Sequence, residues 1–410
     1  MPDIVIADSR WAAARTAREG DAEALATALR TTRARTRALL WAFESALGPT
    51  LAVPYSPQLN PPLWEVGHVG WFQDYWIARN RQRALGTACD PDHRRPDGRM
   101  AAVDALYNSS LVEHTTRWHL PLPDLATTRS YLDAGLADTL HLLARAPATS
   151  EALYLFRLVL FHEDMHAEAA SYMAQALDIP LPPALSHDVP TGLPEPQSLR
   201  VSGRQWHLGY DGPGFSFDNE LQAHAVAVAP FEIDATAVTW ARYVPFVESG
   251  GYHDARWWSA DGWLWRETNA APRYLRQVDG VWQQRLFGRW QPLVLTSPAV
   301  HLTWFEADAW CRWAGRRLPS EAEWECAALS DSGFRWGDVW EWTASRFLPY
   351  PGFCAHPYRD YSAPWFGTRY VLRGASRATS PHMAHPRYRN FFTAERNDIH
   401  TGFRTCAIDG

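Results

Sequence analysis

The segment LPPALSHDVPTGLPEPQS, residues 181–198, constrains the fold most, because closely spaced prolines cannot continue a helix and favour extended, solvated backbone. It divides two halves of different character. From residue 8 to about 178 the chain is rich in Ala, Leu and Arg, and DAEALATALRTTRARTRALLWAFESAL carries apolar residues at three and four spacing. Further helices are expected over roughly 63–84, 124–146 and 150–177, the last two with Asp124 and Ser150 as N-caps. Four long helices imply a bundle. Beyond the prolines, short β-type runs alternate with Gly, Pro and Asp turns, while VTWARYVPFVESG and WFEADAWCRWAG supply two helical stretches. The reading is an α+β multidomain chain: a helical bundle over 1–180, a proline-rich linker over 181–198, and a mixed domain over 199–410. At 410 residues two cores are expected, each large enough to fold unaided.

Composition narrows the function. The net charge is −6 with no Lys/Arg-rich run, which argues against nucleic acid or an anionic membrane and for small-molecule substrates. The N-terminus lacks an apolar signal core and no stretch approaches 18 uninterrupted apolar residues, so an unexported, cytoplasmic protein is expected. Cys89, Cys311, Cys326, Cys354 and Cys406 form an odd set without CxxC spacing, as expected of reduced thiols. The 22 tryptophans call for an explanation, and aromatic-lined pockets are one.

His162 and His166 stand four apart on the strongest predicted helix, which puts both imidazoles on one face. Among 16 histidines about 0.6 such pairs arise by chance, so the spacing alone does not argue for a metal. Two features add weight: Glu163 adjoins the first histidine, and His68 lies in another apolar helix, flanked by Gly67 and Gly70, where a polar ring needs a partner. Three neutral nitrogens leave half an octahedron open, which suits Fe(II) admitting O2 and a substrate, although zinc accepts the same ligands.

The strings PAVHLTWFEADAWCRWAGRRLPSEAEWE (298–325), GDVWEWT (337–343), VLRGAS (371–376) and GFR (402–404) resemble the formylglycine-generating enzyme and sulfatase-modifying-factor fold, a C-type-lectin-like domain. Formylglycine chemistry is not implied, because that family's paired cysteines would fall near Thr379 and Ala384. Joined to a DinB-like four-helix bundle carrying WEVGHVGWF and FHEDMHAEA, and supported by FSFDNE (215–220) and residues 230–265, the architecture resembles the iron-dependent ergothioneine-biosynthetic sulfoxide synthases. The resemblance implies Fe(II) on His68, His162 and His166, O2 as co-substrate, and insertion of a sulfur donor into the imidazole of hercynine.

Departures from that family's pattern bear on the donor. Members using γ-glutamylcysteine commonly read HEQQH at the helical ligands, carry two arginines near the third bundle helix, and show a late Asn-Trp-Asp. Here Met165 replaces a Gln that touches hercynine, only Arg117 matches an arginine with His114 three residues before it, and the late motif is Asn390, Phe391, Phe392. Losing charge-assisted contacts worth about 1.5–3 kcal/mol each disfavours a zwitterionic thiol and favours a selenosugar, the uncharged donor of the related selenoneine synthases. A thiol such as cysteine or γ-glutamylcysteine is the alternative donor, and a zinc-dependent thiol transferase or hydrolase the more distant reading. The resemblance also implies a proton-donating tyrosine, for which Tyr350, Tyr358 and Tyr361 are candidates, each with a packing role as the rival. Phe391 and tryptophans are expected to cage the trimethylammonium of hercynine at about 0.5–2 kcal/mol per face. Asn390 would hold its carboxylate; the rival roles are core packing for Phe391 and Phe392, a turn cap for Asn390 and a solvated charge for Arg117. Tyr107 and Asn108 fall near the expected pocket.

Overall fold

The computed structural model describes residues 11–186 and 197–408. The first half holds α1 (Ala12–Glu19), α2 (Ala22–Leu47), α3 (Pro62–Gln73), α4 (Val103–Tyr107), α5 (Leu125–Leu143), α6 (Ser150–Ala176) and a single turn, α7 (Pro183–Ser186). Helices α2, α3, α5 and α6 form the bundle, with α6 buried along most of its length. Local chemistry sets their ends. Asp21 caps α2 by accepting from the Glu23 and Ala24 amides, and Gly48 ends it in a positive-φ conformation. Asp124 caps α5 as expected, but the cap of α6 is Thr149, which accepts from the Ala152 amide, and Ser150 is the first helical residue. The helix expected over 63–84 is shorter: α3 widens into a π-helical turn at Asp74–Ala78 and stops there. Within the proline-rich segment, Pro183 opens α7, a first-turn position that tolerates proline, while residues 187–196 lie outside the described residues.

The second half contains α8 (Trp240–Glu248), α9 (Ala260–Arg266), α10 (Trp304–Trp313) and α11 (Glu321–Ser330). Sequence reasoning anticipated α8 and α10. It passed over α11, whose start is a capping box between Ser320 and Glu323. The strands are β1 (Ser198–Val201), β2 (Arg204–Leu208), β3 (His224–Val228), β4 (Phe231–Asp234), β5 (Leu275–Val278), β6 (Val281–Leu286), β7 (Arg289–Pro292), β8 (Arg316–Arg317), β9 (Trp340–Arg346), β10 (Tyr370–Gly374), β11 (Asn390–Phe392), β12 (Thr401–Phe403) and β13 (Cys406–Ala407). The sheet that matters for the site runs β11-β10-β9-β12, antiparallel except for the parallel β9–β12 pair.

The halves share one apolar core. A continuous cluster runs from Ala17, Trp64 and Phe156 in the bundle through Phe215 and Trp240 to Cys406, so the main core spans both halves, with two smaller clusters beside it, around Phe43 and around Leu39. Polar clasps cross the same boundary: Arg18 of α1 makes a buried two-bond ion pair with Glu220 at 2.7 and 2.8 Å, and Tyr154 of α6 meets His356 Nδ1 at 2.8 Å. The five cysteines are all unpaired. No described helix is long and apolar enough to cross a membrane.

Candidate metal centre

Helices α3 and α6 pack side by side, and the three histidines meet on their facing surfaces. The Nε2 atoms of His162 and His166 are 3.1 Å apart, and with His68 one nitrogen from each ring lies within 4.8 Å of the others. Imidazole nitrogens held about 2.0–2.1 Å from one ion, at roughly right angles, stand about 3 Å apart. The proton positions make the same point. His166 donates Nδ1–H to Glu65 at 2.6 Å and His68 donates Nδ1–H to the Tyr107 carbonyl at 2.8 Å, which leaves their Nε2 atoms as lone-pair acceptors. Burial, followed by the other two imidazoles, holds His162 well below its ordinary pKa, and burial with His166 takes His68 down to about 3. Acceptor nitrogens crowded together fit a cation between them. The donor set thus suits iron or zinc.

Each ligand has a specific support. Trp64 and His68, one turn apart on α3, stack at 4.9 Å with an interplanar angle of 9°. They donate to the Leu106 and Tyr107 carbonyls, which at the end of α4 have no helical partner. Gly67 makes this approach possible, since a Cβ there would stand 2.3 Å from the Tyr107 ring, and Gly70 likewise admits Tyr131. His162 stacks on Phe72 at 3.5 Å. Burial pushes the Glu65 carboxyl upward, but His166 and the other partners overcome this and bring it down to about 2. Glu163, the carboxylate beside the first histidine, is not at the site: it turns to Arg33 of α2 in a buried pair at 2.7 and 2.9 Å.

On one side of His166 opens a cavity of about 250 Å³ between the bundle and the β11-β10-β9-β12 sheet. Its lining includes Asn60, Glu65, Met165 and His166 from the first half and Trp340, Tyr388, Asn390 and Phe392 from the second. Tyr172 and the half-buried Glu168 complete an aromatic and acidic wall, with Glu168 accepting from Trp340, Ser376 and Thr379 at 2.7, 2.6 and 3.0 Å. Burial, only partly offset by those bonds, raises the Glu168 pKa.

The cavity gathers Met165, Asn390 and Phe392, but not the other expected pocket residues. Side chains alternate along a strand, so Asn390 and Phe392 face the cavity while Phe391 points away and stacks on Phe347 at 4.1 Å. Phe391 therefore packs in the core rather than against a ligand in this cavity. His114 lies outside the lining, donating to the Leu59 carbonyl at 2.9 Å, and Arg117 sits behind it, donating to Asn60 at 2.7 Å. Tyr107 serves through its backbone carbonyl, and the Asn108 side chain accepts from the Ser110 amide at 3.0 Å. Of the three tyrosines, Tyr350 is held in a buried network with Glu321 and Arg389, far from the imidazoles in its contacts. Tyr358 packs edge-on against Phe72 behind His162, and Tyr361 bonds Tyr388 hydroxyl to hydroxyl at 2.9 Å. Tyr388 itself reaches the cavity, its hydroxyl 3.6 Å from the Met165 sulfur. Sequence reasoning missed Asn60, Glu65, Glu168 and Tyr388; Glu65 had a readable signal, a lone charge in the apolar string WEVGHVGWF.

Residues 185–337 and 332–408 match the Sulfatase-modifying factor enzyme 1-like domain, and residues 28–170 match the DinB superfamily. The fold is thus a DinB-like helical domain followed by a C-type-lectin-like one. A protein of Mycolicibacterium smegmatis called hercynine oxygenase is 32% identical over 443 residues, covering 93% of this chain and 98% of its own. The hercynine oxygenase of Mycobacterium tuberculosis is 32% identical with the same coverage, 93% and 98%. The formylglycine-generating enzyme of Streptomyces coelicolor is 28% identical, covering 57% of this chain and 96% of its own.

Proposed function

The chain belongs to the hercynine oxygenase family, and from that premise we propose that it is a non-heme Fe(II), O2-dependent enzyme forming a carbon–selenium or carbon–sulfur bond on the imidazole of hercynine, with a selenosugar as the favoured donor. His68, His162 and His166 would hold the iron. When bound, iron would supply the redox chemistry for exchanging an imidazole C–H for a carbon–chalcogen bond with O2 as the oxidant.

The chain's own residues then position and shield the substrates. Tyr172, Trp340, Tyr388 and Phe392 offer aromatic faces, and Glu168 a carboxylate, to the trimethylammonium of hercynine. Asn390, which lines the same cavity, would meet its carboxylate. Of the two tyrosines that line the cavity, Tyr388, whose hydroxyl bonds that of Tyr361, is the one to which we assign the passing of a proton. Small-molecule substrates accord with a cavity of about 250 Å³, and a reducing, cytoplasmic setting with the five free thiols.

The observation that carries the donor choice is the lining itself. Among the described residues it includes Glu65, His166 and Glu168 but no lysine or arginine, so a donor with two carboxylates finds no cation there. Arg396, behind Phe392, is already paired with Asp398 at 2.6 Å. The test offers Fe(II)-loaded protein hercynine with a selenosugar, a thiosugar, cysteine or γ-glutamylcysteine, in air and without O2, and analyses products by mass. We expect the selenosugar to be consumed fastest, and only in air. Efficient sulfoxide formation from γ-glutamylcysteine would establish the thiol donor instead, and full turnover by zinc-loaded protein without O2 would end the oxygenase reading.

A further inference from the structure

Two routes lead outward from the imidazoles and end on the same side chain. From His166, Nδ1–H meets Glu65 Oε1 at 2.6 Å, Asn60 Nδ2 donates to Glu65 Oε2 at 2.7 Å, and Arg117 Nη1 donates to Asn60 Oδ1 at 2.7 Å. From His68, the ring stacks on Trp64, and the Arg117 guanidinium lies over Trp64 at 3.9 Å from its centroid. Nη2 donates to the Val112 carbonyl at 3.1 Å, which ties the guanidinium to its own loop. Nε is buried without a hydrogen-bond partner, and Arg117 does not line the cavity.

We propose that Arg117 is a positioning residue of the metal centre, fixing through Asn60–Glu65 and through Trp64 the orientation in which His166 and His68 present Nε2 to an ion. The inference rests on the metal reading above and departs from the substrate contact that sequence resemblance implied. Its physical basis is the direction of the bonds. Arginine only donates and a carboxylate only accepts, so the Asn60 amide between them has one orientation, oxygen toward Arg117 and nitrogen toward Glu65. Without Arg117 that amide can turn over, Glu65 loses its second partner, and the His166 ring loses a restraint on its rotation. The Trp64 ring, uncovered, loses the plate that holds it flat against His68. Lysine cannot substitute, because a point charge on a flexible stem cannot stack and bond two acceptors at once. Outer-shell partners of metal-bound histidines are worth about 10–100-fold in metal affinity when removed.

The test uses the full chain stripped of metal and titrated with Co(II), which accepts nitrogen ligands and reports its geometry in the visible spectrum. His166→Ala serves as the reference for a lost ligand. Arg117→Ala and Asn60→Ala should each weaken Co(II) binding about tenfold and alter the spectrum. Because Asn60 lies on one of the two routes that start at Arg117, the double variant should lose less than the sum of the two singles. Arg117→Lys should keep the fold, checked by circular dichroism, without restoring the spectrum. At saturating Fe(II), KM for hercynine and for the donor should stay near wild type in Arg117→Ala. Unchanged Co(II) affinity and spectrum, additive losses, or a raised KM at saturating metal would overturn the proposal. If wild type shows no three-nitrogen Co(II) spectrum, the metal reading itself has failed, a result distinct from a normal wild type with a normal Arg117→Ala.

Discussion

Residues with similar chemistry are sorted here by what their polar atoms already touch. Tyr350 places its hydroxyl 3.1 Å from Glu321 in a buried network, and Tyr361 is stacked on Phe217, whereas Tyr388 turns its hydroxyl toward the cavity and Met165. Replacing Tyr388 by Phe keeps the ring and removes the transferable proton, so kcat should fall about 100-fold or more with little change in KM for hercynine. Tyr350→Phe should leave kcat near wild type. Steady-state kinetics of Tyr350→Phe, Tyr358→Phe and Tyr388→Phe decide the matter, and a collapse confined to Tyr358→Phe would move the role behind His162. That the three histidines meet was legible because His68 and the family resemblance added to a helical pair whose spacing alone falls within chance. That Tyr388 enters the cavity was not, because that depends on where the loop after β10 returns, and no local pattern encodes a return path.

At the scale of elements, α3 does more than supply His68. It brings Glu65, Trp64 and His68 onto surfaces shared with α4 and α6, and it does so at a distance only glycine permits. Tyr107 is fully buried, so its ring cannot swing aside for a new Cβ at position 67. Gly67→Ala should therefore displace α4, costing about 1–3 kcal/mol of stability. It should also shift the carbonyls that anchor Trp64 and His68. Thermal melts with a parallel Co(II) titration would show both losses together; a variant with a wild-type melting temperature and metal affinity would refute this account. Gly67 and Gly70 were visible in the sequence beside His68, but their use was not, since it lies in partners 40 and 61 residues downstream, Tyr107 and Tyr131. The four bundle helices were legible from apolar periodicity. The early stop of α3 was not: apolar residues continue beyond Gln73 while the backbone widens.

Across the whole molecule, the proline-rich segment marks a change of architecture without separating two independent bodies. The apolar core is continuous, and Arg18 at the start of the chain is buried against Glu220 of the second half. Arg18→Ala would strand a buried carboxylate, at a cost of about 3–5 kcal/mol. Urea unfolding followed by signals from both halves should show one transition moved to lower denaturant, and two separated transitions would count against a shared core. Long-range pairing of this kind leaves no periodic trace, which is why two cores were expected. Strand β11 has a consequence of another kind. Phe391 answers to the core, whereas Asn390 and Phe392 answer to whatever occupies the cavity, and adjacent codons inherit these separate obligations. A lineage can reshape the cavity by altering alternate letters of a three-residue word, while the letter between them stays fixed and the fold is passed on intact.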